Sequence, residues 1–390
     1  MRSIRMLPAT LGLVSALALT ATACGPTETP AADKPAGGAS ASASASEGGG
    51  ADPAIPSDIA DKLKKHGVDV DKWKDGEWKN WNKDTWLREA EDFVNPVIDG
   101  LWDSERMQTA KSPDQTMTTA AGSGGSDPVP RPVQAQREKT PYHRNAAPVG
   151  KIFFDSPQGS MVCSGTIVKD PRRPGKSNMV WTAGHCVHAG QRGGWYRNIT
   201  FVPAYNDLGK SPAALRNAKP HEVAPYGQYW ADWAVTSGEW INRGGTNAAW
   251  PYDYAVLHVK PQQGKKSLEE TVGVALPIDF SAPAHAKAGY MGAWGYPAAA
   301  PYNGLIMHKC VDRPTRMTTA PATPTMYRIG CTMTGGSSGG GWIRTMPNGK
   351  PALVSNTSIG PAGGNGWLAG PQLGKGAKDA HEMVSKKFAR

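Results

Sequence analysis

The eight residues 334–341 read Thr-Gly-Gly-Ser-Ser-Gly-Gly-Gly and surround two adjacent serines with five glycines. Glycine loses more conformational freedom on folding than any other residue, so such a run is costly in a segment that only packs. Strand-like residues flank it closely, with 326–329 before it and Trp342 and Ile343 after it, which argues against a flexible linker. A serine between glycines is typical of a tight turn that exposes a hydroxyl and aims backbone N–H groups inward. The run therefore predicts a reactive serine held between two strands.

The segment from residue 141 onward has the composition of a β-protein. Short runs rich in Val, Ile, Tyr and Trp are separated by Gly, Pro and Asn, as in 151–154, 254–259 and 351–354. The 46 glycines and 33 prolines of the 390-residue chain also favour turns and short strands over long helices. Many short strands without helical stretches between them predict an antiparallel barrel or sandwich. Residues 378–388 have apolar side chains at helical spacing and predict a terminal helix.

The first 50 residues have the features of an export signal followed by a tether. Arg2 and Arg5 precede the apolar run 11–20, and Ala-Thr-Ala at 21–23 is a cleavage site, so residues 1–23 are predicted as a signal peptide. The next residue is Cys24, and 21–24 resembles a bacterial lipobox with alanine where that motif usually has leucine. Lipidation at Cys24 and free secretion both stay open. Residues 24–50 are rich in Ala, Ser and Gly and are predicted to be a disordered tether.

Residues 51–110 are predicted to form a small helical pro-segment. Ser57 and Asp84 can each cap a short helix, the second spanning 85–94. The tryptophans of this segment are at positions 73, 78, 81, 86 and 102. They would either pack on the main domain, which we favour, or stack on sugars in a glycan-binding module. Residues 111–140 are again rich in Ser, Gly, Pro and Gln and are predicted to be a linker, with the main domain at 141–390.

The charge and the cysteines limit the classes of partner and compartment. The net charge is +10, but the basic residues are scattered and no nucleic-acid-binding module is visible, so we expect no nucleic-acid partner.

The chain has five cysteines, which is an odd number. With Cys24 set apart, Cys163 and Cys186 lie in one region and Cys310 and Cys331 in another. In an exported chain, this distribution predicts two disulfides and one special cysteine.

A second motif precedes the glycine run in the sequence. Residues 180–186 read Val-Trp-Thr-Ala-Gly-His-Cys, and Cys163 is the expected partner of Cys186. A disulfide there would tie the loop of His185 to the preceding strand and fix the imidazole in place. A general base needs this, because a misplacement of about 1 Å can cost on the order of a hundredfold in rate.

Residues 181–186 together with 336–340 resemble the trypsin/chymotrypsin superfamily of serine proteases, nearest the bacterial branch that includes glutamyl endopeptidases. The resemblance spans about 141–374. It implies an all-β fold of two antiparallel β-barrels with the active site between them, and the activity of a serine endopeptidase. It also implies Ser338 as nucleophile, His185 as general base, and an oxyanion hole made by the N–H groups of Gly336 and Ser338.

The third member of such a site is an acid between His185 and Ser338 in sequence. The candidates are Asp207, Asp232, Asp253, Asp279 and Asp312. Asp253 leads the apolar run 254–257, as the family pattern requires, and Asp232 is the runner-up because Ala-Val follows it closely. A buried acid there would hold the tautomer of the histidine and stabilise the imidazolium.

Two departures from the family pattern concern activation and specificity. Ser337 occupies the position of an aspartate that pairs with a newly cut N-terminus in trypsin-like zymogens, so we expect no activation by that route. Thr332 occupies the position where trypsin-like enzymes carry an aspartate, and 353–360 lacks the histidine of glutamate-specific relatives. Neither a basic nor an acidic preference follows. Cys310 and Cys331 would form the second disulfide beside this pocket.

Other classes of protein fit the sequence less well. An α/β-hydrolase needs its acid and histidine after the serine, and only His381 follows it. The His-Glu pairs at 221–222 and 381–382 lack the second histidine of a metalloprotease. We therefore expect an exported monomeric endopeptidase that acts on proteins or peptides without a metal or organic cofactor. The alternative is a surface protein that keeps the fold for binding or adhesion without turnover.

Overall fold

The computed structural model describes residues 95, 97–113, 116–117, 125–156, 158–362 and 366–389. The signal peptide, the tether with Cys24, the two helices predicted within 57–94 and the tryptophans at 73, 78, 81 and 86 lie outside these residues.

The strands of the described residues are β1 (Thr116–Met117), β2 (Gln136–Arg137), β3 (Val149–Ser156), β4 (Gly159–Val168), β5 (Met179–Thr182), β6 (Arg197–Pro203), β7 (Tyr229–Thr236), β8 (Ala255–Pro261), β9 (Met291–Gly295), β10 (His308–Asp312), β11 (Thr315–Met317), β12 (Met326–Cys331), β13 (Gly341–Thr345), β14 (Pro351–Asn356), β15 (Gly360–Pro361) and β16 (Gly366–Pro371). The α-helices are α1 (Ser104–Thr109), α2 (Tyr142–Asn145), α3 (Pro212–Arg216), α4 (Pro220–Val223), α5 (Gly238–Arg243), α6 (Leu268–Val272), α7 (His285–Ala288) and α8 (Lys375–Lys387).

The first half of the main domain is a closed antiparallel barrel in the order β3-β4-β5-β8-β7-β6. Apolar side chains such as Ile152, Val180 and Leu257 are fully buried inside it, which explains why these strands read as short apolar runs. Two irregularities in register, at 153–155 and 231–233, bend β3 and β7. Such bulges increase local twist and help a sheet to close.

The second half consists of two larger sheets and the short strand β15, which pairs with β1. One sheet has five strands in the order β14-β13-β9-β10-β2, and the other has three in the order β11-β12-β16. Side chains from both sheets, including Ala293, Tyr327, Trp342 and Leu368, are buried in one core cluster. The all-β architecture and the C-terminal helix are therefore confirmed.

Asn95 and residues 97–111 contact the first barrel. The amide nitrogen of buried Asn95 donates to the carbonyls of Ile199 at 3.0 Å and Ala231 at 2.7 Å. Its oxygen accepts from the N–H of Ile199 at 2.8 Å. In α1, Arg106 forms an ion pair with Asp155 of β3 at 2.7 Å. These contacts join α1 and the preceding turn to β3, β6 and β7.

The segment predicted to be a linker also contributes two short strands. Gln136 and Arg137 of β2 pair with β10 at the edge of the five-stranded sheet. Thr116 and Met117 of β1 pair in parallel with β15. The domain boundaries at 110 and 141 stay predictions.

The C-terminal helix α8 packs on the outside of the first barrel. His258 of β8 stacks on Phe388 just after the helix, with ring centroids 3.5 Å apart. The ammonium of Lys387 lies 3.7 Å from the ring centroid of Trp233. None of the helices in the described part of the chain is long and apolar enough to span a membrane.

Candidate active site

His185 lies in a short 3-10 turn, Gly184–Cys186, directly after β5. The disulfide between Cys186 and Cys163 ties this turn to β4, as predicted. Gly184 is required there, because a Cβ would lie 2.7 Å from the Thr236 hydroxyl oxygen and 3.0 Å from a carboxylate oxygen of Asp253. The absence of a side chain at 184 therefore lets the histidine turn approach Asp253 closely.

Asp253 is fully buried and faces His185. It follows the 3-10 turn Trp250–Tyr252 and precedes β8. Its Oδ2 is 2.7 Å from Nδ1 of His185, and its Oδ1 accepts from the backbone N–H of His185 at 2.8 Å. A carboxylate at Nδ1 favours the tautomer that leaves Nε2 free to accept a proton. Nε2 of His185 makes no hydrogen bond to the described residues.

The other four candidate aspartates have different partners. Asp232 contacts Nδ1 of His258 at 2.6 Å on the side of the barrel that carries α8. Asp207 contacts His143, and Asp279 contacts Arg344, each at 2.7 Å. Asp312 accepts from the N–H of Gly330 at 2.9 Å. The geometry thus brings Asp253 to His185 and leaves the runner-up Asp232 beside another histidine.

Ser338 lies in the glycine run, which is packed against the turn of His185. The carbonyl of Ser338 accepts from the N–H of Ser164, next to Cys163 in β4, at 2.7 Å. A Cβ on Gly339 would collide with the hydroxyl of Thr182, three residues before His185. The hydroxyl of Ser338 makes no hydrogen bond to Nε2 of His185 in the structure. Catalytic hydrogen bonds often tighten only once substrate is bound.

The neighbouring Ser337 is turned into the protein. Its side chain is buried, and its hydroxyl donates to the carbonyl of Thr334 at 2.6 Å. The N–H of Gly340 donates to the carbonyl of Ser337 at 3.0 Å. The turn is therefore closed by its own hydrogen bonds at the position where an aspartate would need an external amino group. That no activation through such an ion pair occurs stays a prediction.

The peptide between Gly335 and Gly336 is oriented by the loop after β9. The carbonyl of Gly335 accepts from the N–H of Ala298 at 2.6 Å. Because a trans peptide directs its N–H opposite to its C=O, the N–H of Gly336 points away from that loop. Among the described residues, no acceptor takes the N–H of Gly336 or of Ser338. Gly336 has φ +93°, a conformation that favours glycine.

The hydroxyl of Thr332 takes part in two hydrogen bonds within the protein. Its hydroxyl oxygen accepts from the N–H of Ala135 at 2.9 Å and lies 3.0 Å from the hydroxyl of Tyr302. Two of its three hydrogen-bonding capacities are therefore used inside the protein. The second predicted disulfide, between Cys310 and Cys331, is present beside it. Thr332 alone gives no basis for a charge preference.

The sequence prediction gave no role to two polar residues of the candidate site, Asn356 and Ser358, because it concerned only the missing histidine of 353–360. Ser358 donates its hydroxyl to Oδ2 of Asp253 at 2.6 Å. The amide of Asn356 donates to the carbonyl of Asp253 at 3.0 Å and accepts from the indole N–H of Trp181 at 3.0 Å. The signal that could have found them is the polar run 355–358 directly after the apolar strand 351–354.

Only one group of potential metal ligands lies close together in the described part of the chain, namely Cys163, His185 and Cys186. Both cysteines are joined in a disulfide, so they offer no thiolate to an ion. The two cysteines instead join the turn of His185 to β4.

A histidine paired with a buried carboxylate, next to a glycine-bracketed serine on an all-β scaffold, defines the class of β-barrel serine hydrolases. Comparison with solved structures gives the family. A thermostable serine protease from an extremophilic microorganism is 35% identical over 62% of this chain and 98% of that chain, with a TM-score of 0.50. The protease Anisep from Arthrobacter nicotinovorans is 29% identical over 64% of this chain and 99% of that chain, also with a TM-score of 0.50.

A Glu endopeptidase is a more distant match, with 17% identity over 65% of this chain and 98% of that chain and a TM-score of 0.48. No family model matches the sequence, and no curated protein matches it. The chain belongs to the trypsin/chymotrypsin-like superfamily of serine proteases.

Proposed function

We propose that this protein is an exported serine endopeptidase that hydrolyses peptide bonds through Ser338, His185 and Asp253. The observation that carries the proposal is the contact between Nδ1 of His185 and Oδ2 of buried Asp253, in a turn packed against the loop of Ser338. Ser337, the alternative nucleophile, already donates its hydroxyl to the backbone carbonyl of Thr334.

In the proposed reaction, the Ser338 oxygen attacks the scissile carbonyl carbon while Nε2 of His185 takes the hydroxyl proton. Asp253 stabilises the imidazolium that forms, and the N–H groups of Gly336 and Ser338 donate to the oxyanion. His185 then gives its proton to the leaving amine, which breaks the peptide bond and leaves an acyl ester on Ser338. Water, deprotonated by His185, hydrolyses the ester and restores the free serine.

Hydrolysis of a fluorescein-labelled protein substrate tests this proposal. The wild-type protein should release soluble fluorescent peptides, and Ser338→Ala should lower kcat by about 10⁴ or more. The matched control is Ser337→Ala, which removes a hydroxyl from the same turn and should retain most of the activity. Turnover that survives Ser338→Ala would contradict the assignment. A wild-type protein without turnover or reaction with an active-site probe would favour the non-catalytic binding protein.

We also propose that the chain is exported by residues 1–23 and that Cys24 either carries a lipid or becomes the free N-terminus. The two disulfides support an oxidising compartment, since such bonds persist mainly outside the cytosol. Mass spectrometry of the N-terminal peptide from the membrane and culture fractions would distinguish the two outcomes. An N-terminus at Met1 in both fractions would contradict export.

A further inference from the structure

The two-residue strand β1 pairs with β15, the strand that follows the candidate active-site residue Ser358 in the chain. Thr116 pairs with Gly360 and Met117 with Pro361 in parallel, and the N–H of Ala362 donates to the carbonyl of Met117 at 3.0 Å. The strand comes from the segment before the protease domain and joins a strand more than two hundred residues later in the chain.

The backbone edge with which β1 pairs begins two residues after Ser358, whose side chain belongs to the candidate site. Ser358 bonds the carboxylate of Asp253, and β15 begins at Gly360. On its other side, this segment is bonded to the three-stranded sheet, because the N–H of Ile359 donates to the carbonyl of Ala369 at 3.2 Å. Without β1, the edge at Gly360 would offer unpaired backbone groups beside the site. Extended peptides bind to such edges by adding a strand.

Met117 fills an apolar pocket that borders the candidate general base. The side chain is 4% exposed and belongs to a buried cluster with Trp240, Trp250, Ile359 and Trp367. The ring of Trp240 lies 6.1 Å from the imidazole of His185, centroid to centroid. A flexible, unbranched thioether fits an irregular pocket of this kind.

We propose that Thr116–Met117 occupies the peptide-binding cleft as an internal strand, and that the pocket of Met117 is a subsite for a long apolar side chain of the substrate. This inference rests on the proposed protease function. The segment would exclude peptides that need the edge at Gly360, whereas a small reagent would still reach Ser338. Displacing Met117 should therefore increase peptide hydrolysis without changing the chemistry at the serine.

The test compares the full chain with Met117→Asp, which places a charge among tryptophans, and with Met117→Leu, which keeps an apolar side chain. For a peptide with methionine or leucine N-terminal to the cut, Met117→Asp should lower KM by about 10- to 30-fold, the equivalent of burying one apolar side chain. Its kcat should stay near the wild-type value, and Met117→Leu should behave as wild type. Met117→Ala should change KM in the same direction by a smaller factor, and it provides the test if the charged variant does not fold.

A small fluorophosphonate, measured in parallel, separates failure of this inference from failure of the proposed function. Equal labelling rates in the wild type and Met117→Asp, with unequal KM, are the expected result. Equal labelling with equal KM would overturn the internal strand and leave the protease function standing. Absence of labelling in both would overturn the protease function itself.

A peptide of residues 111–122 added in trans tests the subsite. It should inhibit the Met117→Asp enzyme competitively, and the same peptide with aspartate in place of its methionine should be at least about tenfold weaker. Equal inhibition by the two peptides would contradict the apolar subsite.

Discussion

Ser358 contacts the candidate triad through its acid rather than through its base or nucleophile. Its hydroxyl donates to Oδ2 of Asp253, the same oxygen that faces Nδ1 of His185. Removing this donor leaves the buried carboxylate with fewer hydrogen bonds and loosens the position of the imidazole. Ser358→Ala should therefore lower kcat by about tenfold, because a hydrogen bond to a charged group contributes roughly 1.5–3 kcal/mol.

The matched control for Ser358→Ala is Ser355→Ala in the same buried run. The hydroxyl of Ser355 donates to the carbonyl of Pro371 at 2.7 Å and does not contact Asp253. Peptide hydrolysis by the two variants, with thermal unfolding to check the fold, distinguishes the roles. An equal fall in kcat in both variants would show that Ser358 acts only through general packing.

Lys151 is a buried cation on β3 without a carboxylate partner in the contacts of the described residues. Its ammonium donates to the carbonyl of Gly304 at 2.8 Å and lies 4.9 Å from the ring centroids of both Phe153 and Tyr205. Burial lowers the pKa of Lys151 to about 7. In the unfolded chain the same amine keeps its proton up to about pH 10.4.

The pH dependence of stability follows from this shift. Between about pH 7 and pH 10 the unfolded state binds more protons than the folded state, so the free energy of unfolding rises with pH. From pH 7 to pH 9, the free energy of unfolding of the wild type should rise by about 2 kcal/mol more than that of Lys151→Met. Urea unfolding of both proteins at pH 6, 7, 8 and 9 measures the difference. Parallel curves for the two proteins would contradict the lowered pKa.

At the scale of the elements, the two disulfides close loops of similar length but hold different parts of the site. Cys163–Cys186 spans 23 residues and fixes the turn of His185, whereas Cys310–Cys331 spans 21 residues in the second half. The loop-entropy model gives each about 3 kcal/mol of stability.

Replacing each disulfide by two alanines should separate stability from catalysis. Both double variants should unfold more easily by similar amounts. Only Cys163→Ala/Cys186→Ala should also lose kcat, by about tenfold or more, because it frees the turn that positions the base. The measurements are thermal unfolding and peptide hydrolysis well below the unfolding temperature. A larger loss of kcat in Cys310→Ala/Cys331→Ala would contradict this account.

The sequence predicted those parts of the site that local motifs encode. Gly184 and the glycines around Ser338 mark tight turns. The apolar runs of the sequence also show that one strand ends near Thr182 and that another begins near Ala255. Ser358 could not be assigned to Asp253 in this way, because their contact joins positions 105 residues apart in the chain. The pairing of Thr116 with Gly360 has even less local signal, since a two-residue strand has no periodicity.

At the scale of the whole molecule, Asn95 and residues 97–111 pack against the first barrel. The amide of Asn95 bonds to Ile199 of β6 and Ala231 of β7, so its loss would leave buried backbone groups without partners. Asn95→Ala should lower the free energy of unfolding by about 2–3 kcal/mol. Asn145→Ala, which removes an exposed amide bonded to Pro141, is the control and should have little effect. If both variants unfold like the wild type in urea, this segment does not stabilise the domain.

In the proposed mechanism, Ser338 attacks the substrate with His185 as its base. The most direct measurement is tandem mass spectrometry of the full chain after reaction with a fluorophosphonate. We expect one phosphonyl group, attached to Ser338, and no adduct in His185→Ala under the same conditions. An adduct on Ser337, or labelling that is undiminished in His185→Ala, would contradict it.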